Sequence, residues 1–84
     1  MHINIKLGEP LWRAVGARRL ALEWPDAARV TAPDALARLA VEHTAFAAAY
    51  AAAPYRLFVD AVPADAAALA DGQTLFILLP AIGG

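Results

Sequence analysis

Large apolar side chains alternate with other residues in two segments near the start of the chain. In residues 2–7, and again in residues 19–24, every second side chain is large and apolar. A period of two predicts a strand with one buried and one exposed face. Between them, residues 11–15 predict one short helical turn closed by Gly16. The connection is short enough for the two strands to form an antiparallel pair.

The middle of the chain changes to a helical period. Thr31 is suited to the N-cap, Pro33 to the first turn, and Asp34 to the positive end of the helix dipole. Four residues then fall at spacings i, i+3, i+4 and i+7 and predict one helix face: Leu36, Leu39, Ala40 and His43. An alanine-rich stretch extends the helical pattern to Pro54. The pattern leaves open whether Thr44 separates two helices.

Two further strand segments complete the pattern. Residues 57–59 predict a short third strand. Residues 73–79, which follow an Asp-Gly turn signal, are apolar on both faces, as is typical of a central strand. The order predicts an α+β domain of the β-grasp type, with a mixed four- to five-stranded sheet packed on one main helix. A ferredoxin-like fold is the alternative, but it needs a second full helix, and residues 64–70 are short for one.

Composition narrows the classes of function. The 84 residues predict one domain, 1–84, and 61% of them are hydrophobic. With no cysteine, disulfides, thiolate zinc sites and a cysteine nucleophile are excluded. The net charge is −1 with Lys and Arg scattered along the sequence, so we expect no nucleic-acid partner. His2 and His43 lie far apart, so we expect no metal site. No stretch predicts a membrane span or a secretion signal, so we expect a cytoplasmic protein without a membrane partner.

The sequence ends with two glycines shortly after the last predicted strand. Gly83 and Gly84 carry no Cβ atom, so their backbone fits a channel too narrow for other residues. We therefore expect residues 80–84 to form a mobile arm whose terminal carboxylate is the functional group. A frayed end without a role is the alternative.

Together these features resemble the MoaD/ThiS family of ubiquitin-like sulfur carriers, and the MoaD branch more closely. The resemblance spans essentially the whole chain. It lies in the opening strand, the turn at 11–16, the helix entry Val30-Thr31, the motif Leu69-Ala70-Asp71-Gly72, the apolar last strand and the terminal glycines. The sequence departs from the MoaD pattern at three positions: Leu79 replaces the first of two prolines, Asp60 an asparagine and Gln73 an acidic residue.

The resemblance implies a chemistry for the C-terminal segment. An E1-like adenylyltransferase would use ATP to adenylate Gly84, and a persulfide would convert it to a thiocarboxylate. A sulfur-accepting enzyme, such as the large subunit of molybdopterin synthase, would then take the sulfur. The protein itself would be a co-substrate without a bound cofactor, not an enzyme. Gly83 would give clearance, Ala81 and Ile82 would contact the channel, and Pro80 would either restrict the arm or simply end the strand.

Docking of partners is expected on the sheet face that the helix leaves open, which members of this family use. One alternate set of side chains in the last strand must point there, either Leu75, Ile77 and Leu79 or Thr74, Phe76 and Leu78. We predict that Phe76 and Leu78 form the docking face with Phe58 beside them, although packing in a second core layer is the rival. Arg56 is a candidate rim charge, with a solvated arginine as the alternative.

Three other functions stay open. A ubiquitin-like modifier would use the same adenylation but would join Gly84 to lysines of other proteins. Sulfur carriers for thiamin, cysteine, tRNA thiolation or a secondary metabolite would share the same chain end. A plain interaction module would have an inert C-terminal segment.

Overall fold

The computed structural model describes residues 1–25, 29–60, 62–63 and 68–79. Its seven strands are β1 (His2–Leu7), β2 (Arg19–Glu23), β3 (Val30–Thr31), β4 (Arg56–Val59), β5 (Val62–Pro63), β6 (Ala68–Leu69) and β7 (Thr74–Leu78). Its helices are α1 (Leu11–Val15), α2 (Ala32–Glu42) and α3 (Phe46–Ala51). None of these helices has the length and hydropathy that crossing a membrane requires.

The main sheet has five strands in the order β2-β1-β7-β4-β5. The central pair, β1 and β7, is parallel, and the other pairs are antiparallel. β3 and β6 form a separate two-stranded sheet. The prediction of a mixed β-grasp sheet with the last strand at its centre is confirmed. Strand β6 occupies Ala68–Leu69, which leaves no room for the second full helix of a ferredoxin-like fold.

The core lies between the sheet and the helices. Four side chains of the two central strands are at most 1% exposed: Ile3, Ile5, Leu75 and Ile77. On α2 the buried positions are Ala32, Ala35 and Leu39, whereas Leu36 and Ala40 of the predicted face are only half-buried. The buried face of α2 is therefore rotated from the predicted one: the two faces share Leu39, and the observed face adds the fully buried Ala32 and Ala35.

The start of α2 is fixed by a reciprocal pair of hydrogen bonds. The backbone N–H of Asp34 donates to Thr31 Oγ1 at 3.3 Å, and the backbone N–H of Thr31 donates to Asp34 Oδ2 at 2.9 Å. This capping box satisfies two donors that the first turn would leave unpaired. The backbone hydrogen bond from Thr31, followed by a contribution from its side chain, lowers the pKa of Asp34 below its usual 3.8.

The helical region ends in two separate helices. α2 finishes at Glu42, His43 takes an extended conformation, and α3 begins at Phe46. Phe46 is 1% exposed and stacks on Tyr50, with 5.6 Å between ring centroids, and Tyr50 stacks on Tyr55 at 5.7 Å. The segment around Thr44 therefore does interrupt the helix, and α3 turns its aromatic residues into the core.

Candidate functional site

The sheet face opposite the helices carries one continuous row of residues across all five strands. The strand register places these residues side by side: Arg19, Lys6, Phe76, Phe58 and Pro63. Residues opposite each other in paired strands share a face. Because Leu75 and Ile77, the neighbours of Phe76, are both fully buried in the core, this row lies on the open face.

Phe58, Phe76 and Leu78 form an apolar group on that face, which we call the open-face patch. Phe58 is paired with Phe76, and Leu78 follows two residues later on the same side of β7. All three side chains are half-buried. The structure thus selects the predicted set of side chains in β7 and brings all three predicted docking residues together. Their role in binding a partner stays a prediction.

Cationic side chains border the open-face patch. Lys6 Nζ lies 5.6 Å from the centroid of the Phe76 ring, within range of a cation–π contact. Arg56 is paired with Leu78 on the opposite side and is exposed. A shallow groove of ≈ 370 Å³ runs past Lys6 and Phe76 toward Arg19. The face therefore combines an apolar centre with a positively charged border.

Gly8 contacts the end of β7, where the chain leaves the sheet. Its backbone N–H donates to the carbonyl oxygen of Ile77 at 3.0 Å. A Cβ atom at this position would lie only 2.9 Å from Leu78 Cδ2, so a glycine allows the close approach. The end of β7 at Leu78 therefore lies beside the loop that follows β1.

A second groove, of ≈ 310 Å³, lies beside this exit and contains Trp12 in its wall. The guanidinium carbons of Arg18 and Arg13 lie 4.6 and 5.4 Å from the Trp12 ring. Glu9 Oε1 lies 3.7 and 3.6 Å from the same two guanidinium groups. These ion pairs are well exposed, so they orient the arginines more than they stabilise the fold. Trp12 Nε1 is buried and has no acceptor among the described residues.

The sequence reasoning missed a concentration of positive charge at this end of the sheet. Five of the seven Lys and Arg residues gather where β7 ends: Lys6, Arg13, Arg18, Arg19 and Arg56. We call them the tail-end cations. They look scattered in sequence because they lie at the end of β1, in or after α1, and at the starts of β2 and β4. The parallel pairing of β1 with β7 and the antiparallel pairing of β2 and β4 with their neighbours bring these positions to one end of the sheet. The predicted antiparallel first pair and central last strand were a partial signal of this arrangement.

The remaining predicted site residues are Pro80, Ala81, Ile82, Gly83 and Gly84. They lie outside the described residues, so the roles predicted for them stay predictions.

Three solved structures have the same architecture. SAMP1 from Haloferax volcanii matches with a TM-score of 0.80 and 22% identity, covering 100% of both chains. Another structure of H. volcanii small archaeal modifier protein 1 gives 0.75 and 21%, over 94% of this chain and 97% of that one. This chain has the ubiquitin-like β-grasp fold. A protein described as molybdopterin converting factor subunit 1, from Pyrococcus furiosus, gives 0.73 and 20%, over 95% and 98%.

These structures have the fold that the resemblance to the MoaD/ThiS family implies. No protein-family model matches the sequence, and no curated protein is significantly similar to it. The likeness to these three structures is therefore a likeness of fold, because only about one residue in five is identical.

Proposed function

We propose that this β-grasp protein is a sulfur carrier that acts through the carboxylate of Gly84. One observation carries the proposal: 94–95% of the chain superimposes on proteins described as a modifier and as a molybdopterin converting factor subunit. The docking face and the chain exit support it. The open-face patch lies beside the point where residues 80–84 begin, so an enzyme that binds the patch also has that segment within reach.

The chemistry begins with activation of a poor electrophile. In an E1-like adenylyltransferase, an oxygen of the Gly84 carboxylate attacks the α-phosphorus of ATP, which forms an acyl adenylate and releases pyrophosphate. A persulfide sulfur then attacks the Gly84 carbonyl carbon and displaces AMP. A second thiol cleaves the resulting acyl disulfide and leaves a thiocarboxylate on Gly84. ATP belongs to the activating enzyme, so this chain is a co-substrate and not the catalyst.

Each residue of the C-terminal segment has a proposed part in delivering Gly84. Gly83 gives the clearance to enter two different active sites, since it adds no side chain to the channel. Ala81 and Ile82 make apolar contacts with the channel wall, and Pro80 restricts the segment where it leaves β7.

The sulfur acceptor is an enzyme of cofactor biosynthesis. Molybdopterin synthase is the first candidate, with this chain as its small subunit, because the P. furiosus protein is described as a molybdopterin converting factor subunit. Thiamin, cysteine, thiolated tRNA and secondary metabolites are the other destinations to test.

A second candidate function is supported by the two H. volcanii structures, which are described as a modifier protein. A modifier shares the acyl adenylate but transfers the carbonyl carbon. A lysine amine of another protein attacks the Gly84 carbonyl, and an isopeptide bond forms. The two functions therefore differ in which product appears, not in how Gly84 is activated.

Intact-mass spectrometry tests the proposal. The protein is incubated with ATP, a sulfide source and an E1-like enzyme from its own source. We expect a mass increase that corresponds to replacement of one oxygen by sulfur, located on Gly84. A variant without Gly84 is the control and should show no change. Covalent conjugates to other proteins would favour the modifier, and an unchanged mass with an enzyme that is active on another carrier would contradict both.

A further inference from the structure

Charge is separated between the two ends of the sheet. The tail-end cations occupy one end, and among the described residues Glu9 is the one carboxylate that forms an ion pair with any of them. At the other end, Glu23 closes β2, Asp60 follows β4 and Asp71 precedes β7, and the cation beside Glu23, Arg38, is paired with Glu42. A protein with a net charge of −1 thus presents a local excess of about four positive charges around the chain exit.

The tail-end cations are mostly free to meet a partner. Arg13 and Arg18 each have 66% of their side chain exposed. Lys6, Arg19 and Arg56 are also exposed, and no ion pair is found for them inside the described ranges. Glu9, which lies near Arg13 and Arg18, cancels one of the five charges. These cations therefore do little for the fold that would explain why they gather here.

We propose that the enzymes which receive the C-terminal segment surround the entrance of their channel with Asp and Glu side chains. This inference rests on the proposed function and names the chemistry of its partners. The open-face patch forms the apolar centre of the contact, and the tail-end cations form its polar rim. Opposite charges across such a rim speed the encounter and fix the orientation, so the segment meets the channel entrance.

The apolar centre favours a protein partner over a nucleic acid. Phe76 and Leu78 lie between Lys6 on one side and Arg56 on the other. A nucleic-acid footprint would place cations along the whole face, to follow a chain of phosphates. Here the cations cover only one end of the open face, because its next row consists of the uncharged residues Asn4, Ala21 and Thr74.

Charge reversal at Arg56 is the direct test. Arg56→Glu is compared with Arg29→Glu, which makes the same change in net charge at an exposed residue away from the tail-end cations. We measure kcat/KM for carrier-dependent ATP–pyrophosphate exchange by the E1-like enzyme. Arg56→Glu should lower kcat/KM about tenfold, and Arg29→Glu less than about twofold. Raising the salt from about 50 to about 500 mM should slow the wild type and remove most of this difference.

The outcomes separate this inference from the proposed function. Normal exchange with the wild type, but equal values for Arg56→Glu and Arg29→Glu, would overturn the acidic rim and leave the carrier function standing. No exchange with the wild type would overturn the carrier function. In that case, the Kd for binding of this protein to the E1-like enzyme without ATP is compared between Arg56→Glu and Arg29→Glu. Equal Kd values would overturn the acidic rim. Tight binding of a labelled oligonucleotide that Arg56→Glu abolishes would also overturn the inference.

Discussion

Strand β7 places its side chains on two surfaces, a core face that must be buried to stabilise the fold and an open face that stays partly exposed. Leu75 and Ile77 are completely buried against the helices, whereas Phe76 and Leu78 keep part of their surface exposed on the other face. All four are large and apolar, and they alternate between the two faces along four consecutive residues. Composition therefore cannot separate the residues that hold this fold together from those available to a partner. The alternation of the strand, together with the position of the helices, separates them.

The open face also differs from the core face in what surrounds its apolar residues. The core face meets other apolar side chains from α2 and α3, and no polar or charged residue is buried among the described ones. The open face has Lys6, Arg19 and Arg56 around Phe76 and Leu78. Changes on the core face should therefore affect stability, and changes on the open face or beyond β7 should affect function.

The clearest separation of function from stability is expected for a change at the C-terminus, after β7. Adding one alanine after Gly84 removes the free glycine carboxylate without touching the core. We expect carrier-dependent ATP–pyrophosphate exchange to fall to background and the melting temperature to stay within about 3 °C, which corresponds to a change in stability of at most about 0.5 kcal/mol. Calorimetry and the exchange assay on the same sample measure both. A fall of many degrees in Tm would show that the C-terminal segment belongs to the packed domain.

The largest effect on stability is expected from the core face. Ile77→Ala removes a fully buried side chain from the central strand and leaves a cavity. The free energy of unfolding, measured by urea titration, should fall by about 2–5 kcal/mol. A loss below about 1 kcal/mol would mean that this site is not packed as the structure shows.

The adjacent residue should respond in the opposite way. Phe76→Ala on the open face should lower the free energy of unfolding by only about 1 kcal/mol, because its side chain is half-buried. Its Kd for the E1-like enzyme should rise about tenfold or more if it is a central contact. Isothermal titration with Ala21→Ser as the control, an exposed position in the next row of the same face, separates the patch from the rest of the sheet. Unchanged affinity in Phe76→Ala would exclude the open-face patch as the docking surface.

Local sequence patterns predicted the elements of this fold well, and they predicted less of its surface. The alternation in β1 and the cap at Thr31 depend only on residues close together in the sequence, so they were predictable. The buried face of α2 was predicted only in part: Leu39 is buried and Leu36 packs against the core, but the fully buried Ala32 and Ala35 were missed because their small side chains give a weak hydrophobic signal. The tail-end cations were missed because Lys6 and Arg56 are fifty residues apart and meet only through the strand order.

The smallest expected effect concerns the capping box of α2, which lies on neither face of the sheet. Thr31→Ala should lower the free energy of unfolding by about 1 kcal/mol, because it removes the acceptor for the Asp34 N–H. It should also raise the pKa of Asp34 part of the way toward 3.8, because it removes the side-chain contribution of Thr31 while the larger backbone hydrogen bond remains.

The pH dependence has a definite sign. A carboxyl group with a lowered pKa in the folded state adds stability that is complete above its unfolded pKa, near 3.8. This contribution is lost as the pH falls through the lower, folded value. The difference in urea midpoint between the wild type and Asp34→Asn should therefore be constant above about pH 5 and shrink below pH 3.8. NMR titration of the Asp34 carboxyl carbon measures the pKa directly. A pKa of 3.8 or higher in the wild type would mean that the capping box does not hold the charged carboxylate in solution.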